Sequence, residues 1–137
     1  MQKILLFSLV CLLISTSCND QKRPETAMNT ARTFIDASLD GDFQHAEPLV
    51  MADSLNQQMY QMYKSHYAKL PEKTKKGYAE AGYNIDSYEE LNDSTVIVHY
   101  SNDFMHKPIN LKVVKQSGQW WIDFQMISAT DSISAKP

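Results

Sequence analysis

Thiols are nearly missing from this chain: its 137 residues include two cysteines, Cys11 and Cys18. A disulfide framework is therefore excluded, and any fold has to stand on its apolar core. Glycine is also scarce, with four in all, and none of them builds a glycine-rich phosphate loop or a nucleophile elbow. Positive charge is outnumbered, 13 Lys and Arg against 16 Asp and Glu, for a formal charge of −3. Nucleic acid is a poor partner for such a surface, because phosphate recognition needs a basic face. The lysines Lys69, Lys73, Lys75 and Lys76 are read as a solvated helix surface. There is no repeat, no low-complexity tract and no apolar run of the ~20 residues that a membrane-crossing helix requires.

What is present begins at the first residue. Lys3 supplies a short positive start, and Ile4 to Ile14 (ILLFSLVCLLI) is an eleven-residue apolar run, the length of a signal-peptide core. Ser15, Thr16 and Ser17 are small enough for a peptidase pocket, and Cys18 carries the side chain suited to thioether attachment of a diacylglyceryl group. The pattern resembles a lipobox, with Ser15 where Leu is usual, as in the looser version of some Gram-negative groups. It implies a signal peptide over 1–17, a lipidated Cys18 as new N-terminus, and a polar linker over 18–24. Cys11 leaves with the signal and Cys18 is acylated, so the mature chain has no free thiol. Several acyl chains hold effectively permanently, since each buried methylene contributes about 0.8 kcal/mol. The expected place is the cell envelope, on the outer membrane facing the periplasm. From Cys18 to Glu25 the extended chain spans roughly 25 Å, which keeps the domain near the lipid.

Removing 17 residues from 137 leaves 120 and lowers the formal charge by one to −4. That length suits one domain with a real core. Its first half has helical spacing. Between Glu25 and Asp40 the positions Ala27, Ala31, Phe34, Ile35, Ser38 and Leu39 recur every three or four residues, with Gly41 just beyond. Asp42 is placed to cap a short second helix that turns Phe43, Ala46 and Leu49 inward and is limited by Pro48. A third helix is predicted from Ser54, with Ser54 and Gln57 as a capping box and Leu55, Met59, Met62, Tyr63, Tyr67 and Leu70 on one stripe. Pro71 starts a further turn or helix that fades at Gly77 or Gly82.

The second half has period two. Val96, Val98 and Tyr100 share a face; so do Ile109, Leu111 and Val113, and then Trp120, Ile122, Phe124 and Met126. A first strand is predicted over Tyr83 to Leu91, and turns at Asn92-Asp93-Ser94, Asn102 to Pro108 and Gln116 to Gln119. Helices followed by an antiparallel meander of about four strands predict an α+β fold, a cone-like roll with the sheet curved over the helices. The tail over 128–137 has no apolar periodicity and is read as disordered.

These residues also resemble a family. A first helix ending in Gly41-Asp42-Phe43-x-x-Ala46, a helical middle and the closing Ser117-Gly118-x-Trp120-Trp121-Ile122 are similar to the nuclear transport factor 2-like, cystatin-like superfamily. The likeness covers residues 25–127 and is greatest to small bacterial lipoproteins with a lumazine-binding-like domain of unknown function. Enzymes of that superfamily, such as ketosteroid isomerases and polyketide cyclases, place an Asp or His in the cone.

Strand phase decides whether such a group exists here. His99 shares a face with Thr95 and Ile97, and Asp123 with Trp121 and Gln125, both opposite the apolar sets; a bulge would reverse this. No acid–base pair is expected on the core-facing positions, and no cofactor. His45, His66, His99 and His106 lack ligand spacing, so no metal is expected, while Asp86, Glu89 and Glu90 read as a solvated strand edge. The candidate binding surface is aromatic: Tyr60, Tyr63 and Tyr67 on the Met-rich third helix, Tyr100 on the second strand, and Trp121 on the outward face of the last. The expectation is a lipid-anchored, non-enzymatic domain that binds a small apolar ligand or an envelope protein. The alternatives are a small isomerase, cyclase or hydrolase with a cone pocket, and a structural homodimer.

Overall fold

Thr26 starts the first helix by accepting a hydrogen bond on its side-chain oxygen from the Asn29 N–H, 3.1 Å away. In the computed structural model, which describes residues 22–125, α1 runs over Ala27–Asp40 and buries Ala27, Thr30, Ala31, Phe34, Ile35, Ala37 and Ser38. The signal segment, Cys18, Met126 and the 128–137 tail lie outside the described residues. Gly41 ends α1 in the left-handed region at φ 71°. The Asp42 N–H bonds the Ala37 carbonyl at 2.8 Å and the Gly41 N–H bonds that of Ser38 at 3.3 Å, a complete Schellman closure. A methyl group on Gly41 would meet the Tyr67 hydroxyl at 2.6 Å and would add the cost of an L-residue at positive φ. Gly41→Ala is therefore expected to destabilise by about 2 kcal/mol and to lower Tm by roughly 10 °C in a thermal melt.

Asp42 caps α2, Phe43–Ala46, and Pro48 sits in a single 3-10 turn, Glu47–Leu49, that follows directly. Helix α3 spans Ser54–Ala68, and its cap is Asp53 where Ser54 was predicted. Asp53 accepts from the Asn56 N–H, while the Gln57 side chain donates to the Met51 carbonyl, so the expected Ser54–Gln57 box does not form. A carboxylate outranks a hydroxyl here because it accepts both the Asn56 backbone N–H and the Asn56 side-chain amide. Helix α4, Glu72–Glu80, starts after Pro71 and runs through Gly77.

The strands β1, Tyr83–Asn92, β2, Thr95–Asn102, β3, Pro108–Gln116, and β4, Gln119–Asp123, pair antiparallel in the order β1-β2-β3-β4. The last hairpin closes through Ser117 and Gly118, both left-handed at φ 52° and 77°, as a two-residue type I′ turn requires. The sheet's inner face, Val96, Val98, Tyr100, Leu111, Val113 and Ile122, joins α1 in one core. The fold is α+β with a four-stranded sheet that is not closed into a barrel. At the β4 edge the segment after α2 lies alongside: Val50 bridges Ile122 in parallel and the Met51 N–H donates to the Ile122 carbonyl at 3.0 Å. The strand ends at Asp123, yet Phe124 beyond it stays in the core.

Candidate functional site

Helix α3 keeps Met59, Tyr63 and Tyr67 of the predicted stripe on its inner side but adds Asn56 and Tyr60 and turns Leu55 and Met62 out. Its inner line is Asn56, Tyr60, Tyr63 and Tyr67, with Asn56 and Tyr60 fully buried. Leu55 and Met62, expected inside, are 50% and 66% exposed. The reason lies in the partners. Asn56 accepts the Phe124 N–H on its side-chain oxygen and donates its amide to Asp53, so a polar residue is satisfied in the core, where hydropathy alone would not place it. The Tyr60 ring then fills the space between Phe34, Phe43 and Phe124, with centroids at 6.3, 6.3 and 5.4 Å. Such tilted and edge-on pairs add to the burial itself.

The five aromatic residues predicted as one binding surface therefore separate. Tyr60 and Tyr100 are buried in the core, Tyr100 on the inward face that its strand phase predicts, which corrects both as members of a binding surface. Tyr63 and Tyr67 are half-buried, both edge-on to Phe43 at 5.8 and 5.0 Å. Tyr100 meets Tyr83 at 6.2 Å. Burial pushes the Tyr63 hydroxyl up to about 12, with the nearby Tyr67 and Tyr78 adding to it, and raises Tyr60 and Tyr100 as well. Trp121 lies on the opposite face of the sheet, paired in register with Val114.

That opposite face collects the polar groups. His99 is in register with Asn110, and Lys112 lies between Ile97 and Asp123. The two irregularities in the sheet fall in β1, at Asp86 and Leu91, while the β2–β3 and β3–β4 registers are unbroken. His99 and Asp123 accordingly point away from the helices. Two strand spacings and two residues separate them, a Cα distance of roughly 12 Å. Each already has a nearer partner. His99 Nδ1 bonds Asn110 Oδ1, with its Nε2 at 3.8 Å from Glu89. Lys112 Nζ holds Asp123 Oδ2 at 2.9 Å and shields that carboxylate from solvent. The Ser101 hydroxyl donates to Asp86.

Two further features escape sequence reasoning. One is the outer face of α3, where Gln58, Gln61, Met62, Ser65, His66 and Lys69 line a shallow, open concavity. Five of the six lie on α3 and Lys69 is its C-cap, so it is a contact face and not an enclosed chamber. The other is Arg23, assigned above to the linker. Its guanidinium lies 3.7 Å from the centroid of the Trp121 ring, and it donates to the Pro48 carbonyl at 2.9 Å and the Trp120 carbonyl at 3.2 Å. Trp121 is thus half covered by its own chain, a correction to its reading as an open aromatic surface. A contact across 97 residues leaves no local pattern; the only hint is a guanidinium four residues before the first helical residue and an outward-facing tryptophan.

Among the described residues no three His, Cys, Asp or Glu side chains gather as a metal site, and no helix is long and apolar enough to cross a membrane. Compared with family models, curated proteins and solved structures, the chain matches none.

Proposed function

We propose that this chain is a cell-envelope lipoprotein, anchored by an acylated Cys18 at the periplasmic side of the outer membrane, whose nuclear transport factor 2-like domain binds a partner without catalysing a reaction. One observation carries the binding role. The space between helices and sheet is occupied by the tilted and edge-on rings of Phe34, Phe43, Tyr60, Tyr63 and Phe124, whereas His99 and Asp123 are paired off on the far face. General acid–base chemistry needs a group within hydrogen-bond reach of a bound substrate, and the polar groups that α1 and α3 bury, Thr30, Ser38, Asn56 and Tyr60, are hydroxyls and an amide. The same filling favours a partner at the surface over a small apolar ligand inside the cone. The α3 face with Leu55 and Met62 is the surface it favours, since adaptable thioether and aliphatic groups suit protein contact. Self-association through the free β1 edge is disfavoured, because Asp86, Glu89 and Glu90 would be brought against their own copies.

Native mass spectrometry of the protein released from envelope membranes in mild detergent tests this reading. The expected mass lacks residues 1–17 and carries lipid on Cys18, and an envelope protein co-purifies and is lost on Met62→Glu. An unmodified Cys18 overturns the anchor. An activity abolished by His99→Ala or Asp123→Asn overturns the non-enzymatic role.

A further inference from the structure

Arg23 is five residues from Cys18 and is held at three points on the domain: the Trp120 carbonyl, the Pro48 carbonyl and the Trp121 ring. Five residues reach at most about 18 Å when fully extended. If Cys18 is in the lipid, the part of the domain that Arg23 touches stands within roughly 25 Å of it, the extended linker plus the arginine side chain. The chain leaves the membrane and meets the domain at the β3–β4 hairpin end, beside the edge of β4.

The chemistry of that end suits a headgroup layer. Trp120 and Trp121 are the only tryptophans of the chain, both half-buried there. The Lys115 amine lies 5.6 Å from the Trp120 ring, and Lys22 and Arg23 enter at the same place. Tryptophan rings and long cationic side chains are the groups that settle at a lipid–water boundary. The charge is partly balanced, since Lys22 pairs with Glu25 at 2.5 Å and Asp93 lies in the neighbouring turn, so the contact is weak by itself. The acyl anchor makes it intramolecular and raises its effective concentration. The other end of the sheet is one eight-residue strand away, about 26 Å. It carries the β2–β3 loop, with Phe104 packed on Tyr78 of α4 at 5.0 Å.

We infer that the domain docks on the lipid headgroups through Arg23, Lys115, Trp120 and Trp121 at the β3–β4 hairpin end, with the β2–β3 loop and α4 pointing away from the bilayer. This rests on the proposed lipidation of Cys18, which is checked first by the mass of the mature chain. The mature chain has no other cysteine, so a single fluorophore can be placed on Gln116→Cys or Lys107→Cys, both exposed and at opposite ends of the sheet. Each acylated variant is reconstituted in vesicles of phosphatidylethanolamine with a quarter phosphatidylglycerol, with or without a headgroup spin label. The expected result is about twofold quenching or more at position 116, quenching of the native tryptophan emission, and an unchanged signal at position 107. An acylated protein quenched equally at both positions, more at 107, or at neither overturns the docking and leaves the anchor standing. An unmodified Cys18 overturns the anchor and the docking together.

Discussion

Raised from neutral pH, the domain loses about 4 kcal/mol of stability for each pH unit above 10, roughly 8 kcal/mol by pH 12 and enough to unfold it there if its stability lies in the lower half of the usual range. Three buried hydroxyls cause it. An unfolded tyrosine ionises near 10, whereas burial holds Tyr63 protonated up to about 12 and keeps Tyr60 and Tyr100 protonated as well. Their stabilisation is complete below the unfolded value. Above it the unfolded chain releases three protons that the folded chain retains, so the equilibrium moves toward unfolding by about 1.36 kcal/mol per group per unit. A domain of this size has roughly 5–15 kcal/mol to lose. Phenolate absorbance should therefore rise in two stages, the exposed tyrosines first and the buried ones together with loss of the circular dichroism signal. Tyr63→Phe should lower the slope by a third. A single ionisation step near pH 10 with the dichroism unchanged would sink the prediction.

Asn56→Leu is expected to cost about 3 kcal/mol, despite adding apolar volume to an interior position. The substitution removes the acceptor of the Phe124 N–H and the donor to Asp53, and the orphaned N–H is buried at the junction of α3 and β4. An unmet buried donor carries its full desolvation cost, while a made bond returns only about 1 kcal/mol net. Asn56→Asp keeps an acceptor for Phe124 but sets a carboxylate against that of Asp53, so it should be no better. Gln58→Leu, two residues on and facing outward, should be neutral. The check is Tm: a fall of roughly 15 °C for Asn56→Leu and none for Gln58→Leu. Equal melts for the two variants would refute the buried role of Asn56.

Asn56 also shows where reading the chain reaches its limit. The α1 stripe, Gly41 as its stop, Asp42 as the next cap and the inward sets of β2 and β3 are all legible, because each is set by neighbours three, four or two positions away. The phase of α3 is legible only in part, at Met59, Tyr63 and Tyr67. Leu55 and Met62 look interior and Asn56 looks exposed until β4 ends beside the helix and offers an N–H that only Asn56 can accept. Tyr60 is misplaced for the same reason, while Tyr100 sits inward as its strand phase predicts: a helical tyrosine's pattern does not say whether its hydroxyl will reach water.

By itself, then, the sequence determined the class of the fold, the order of its elements and the outward phase of His99 and Asp123, since helix and strand periods are local properties of the backbone. Tertiary structure alone decided the outward turn of Leu55 and Met62 on α3, the closing of the interior by aromatic rings and the pinning of Arg23 onto Trp121. Those depend on which side chains meet across tens of residues, and such meetings are chosen by packing and hydrogen-bond satisfaction after the elements have formed.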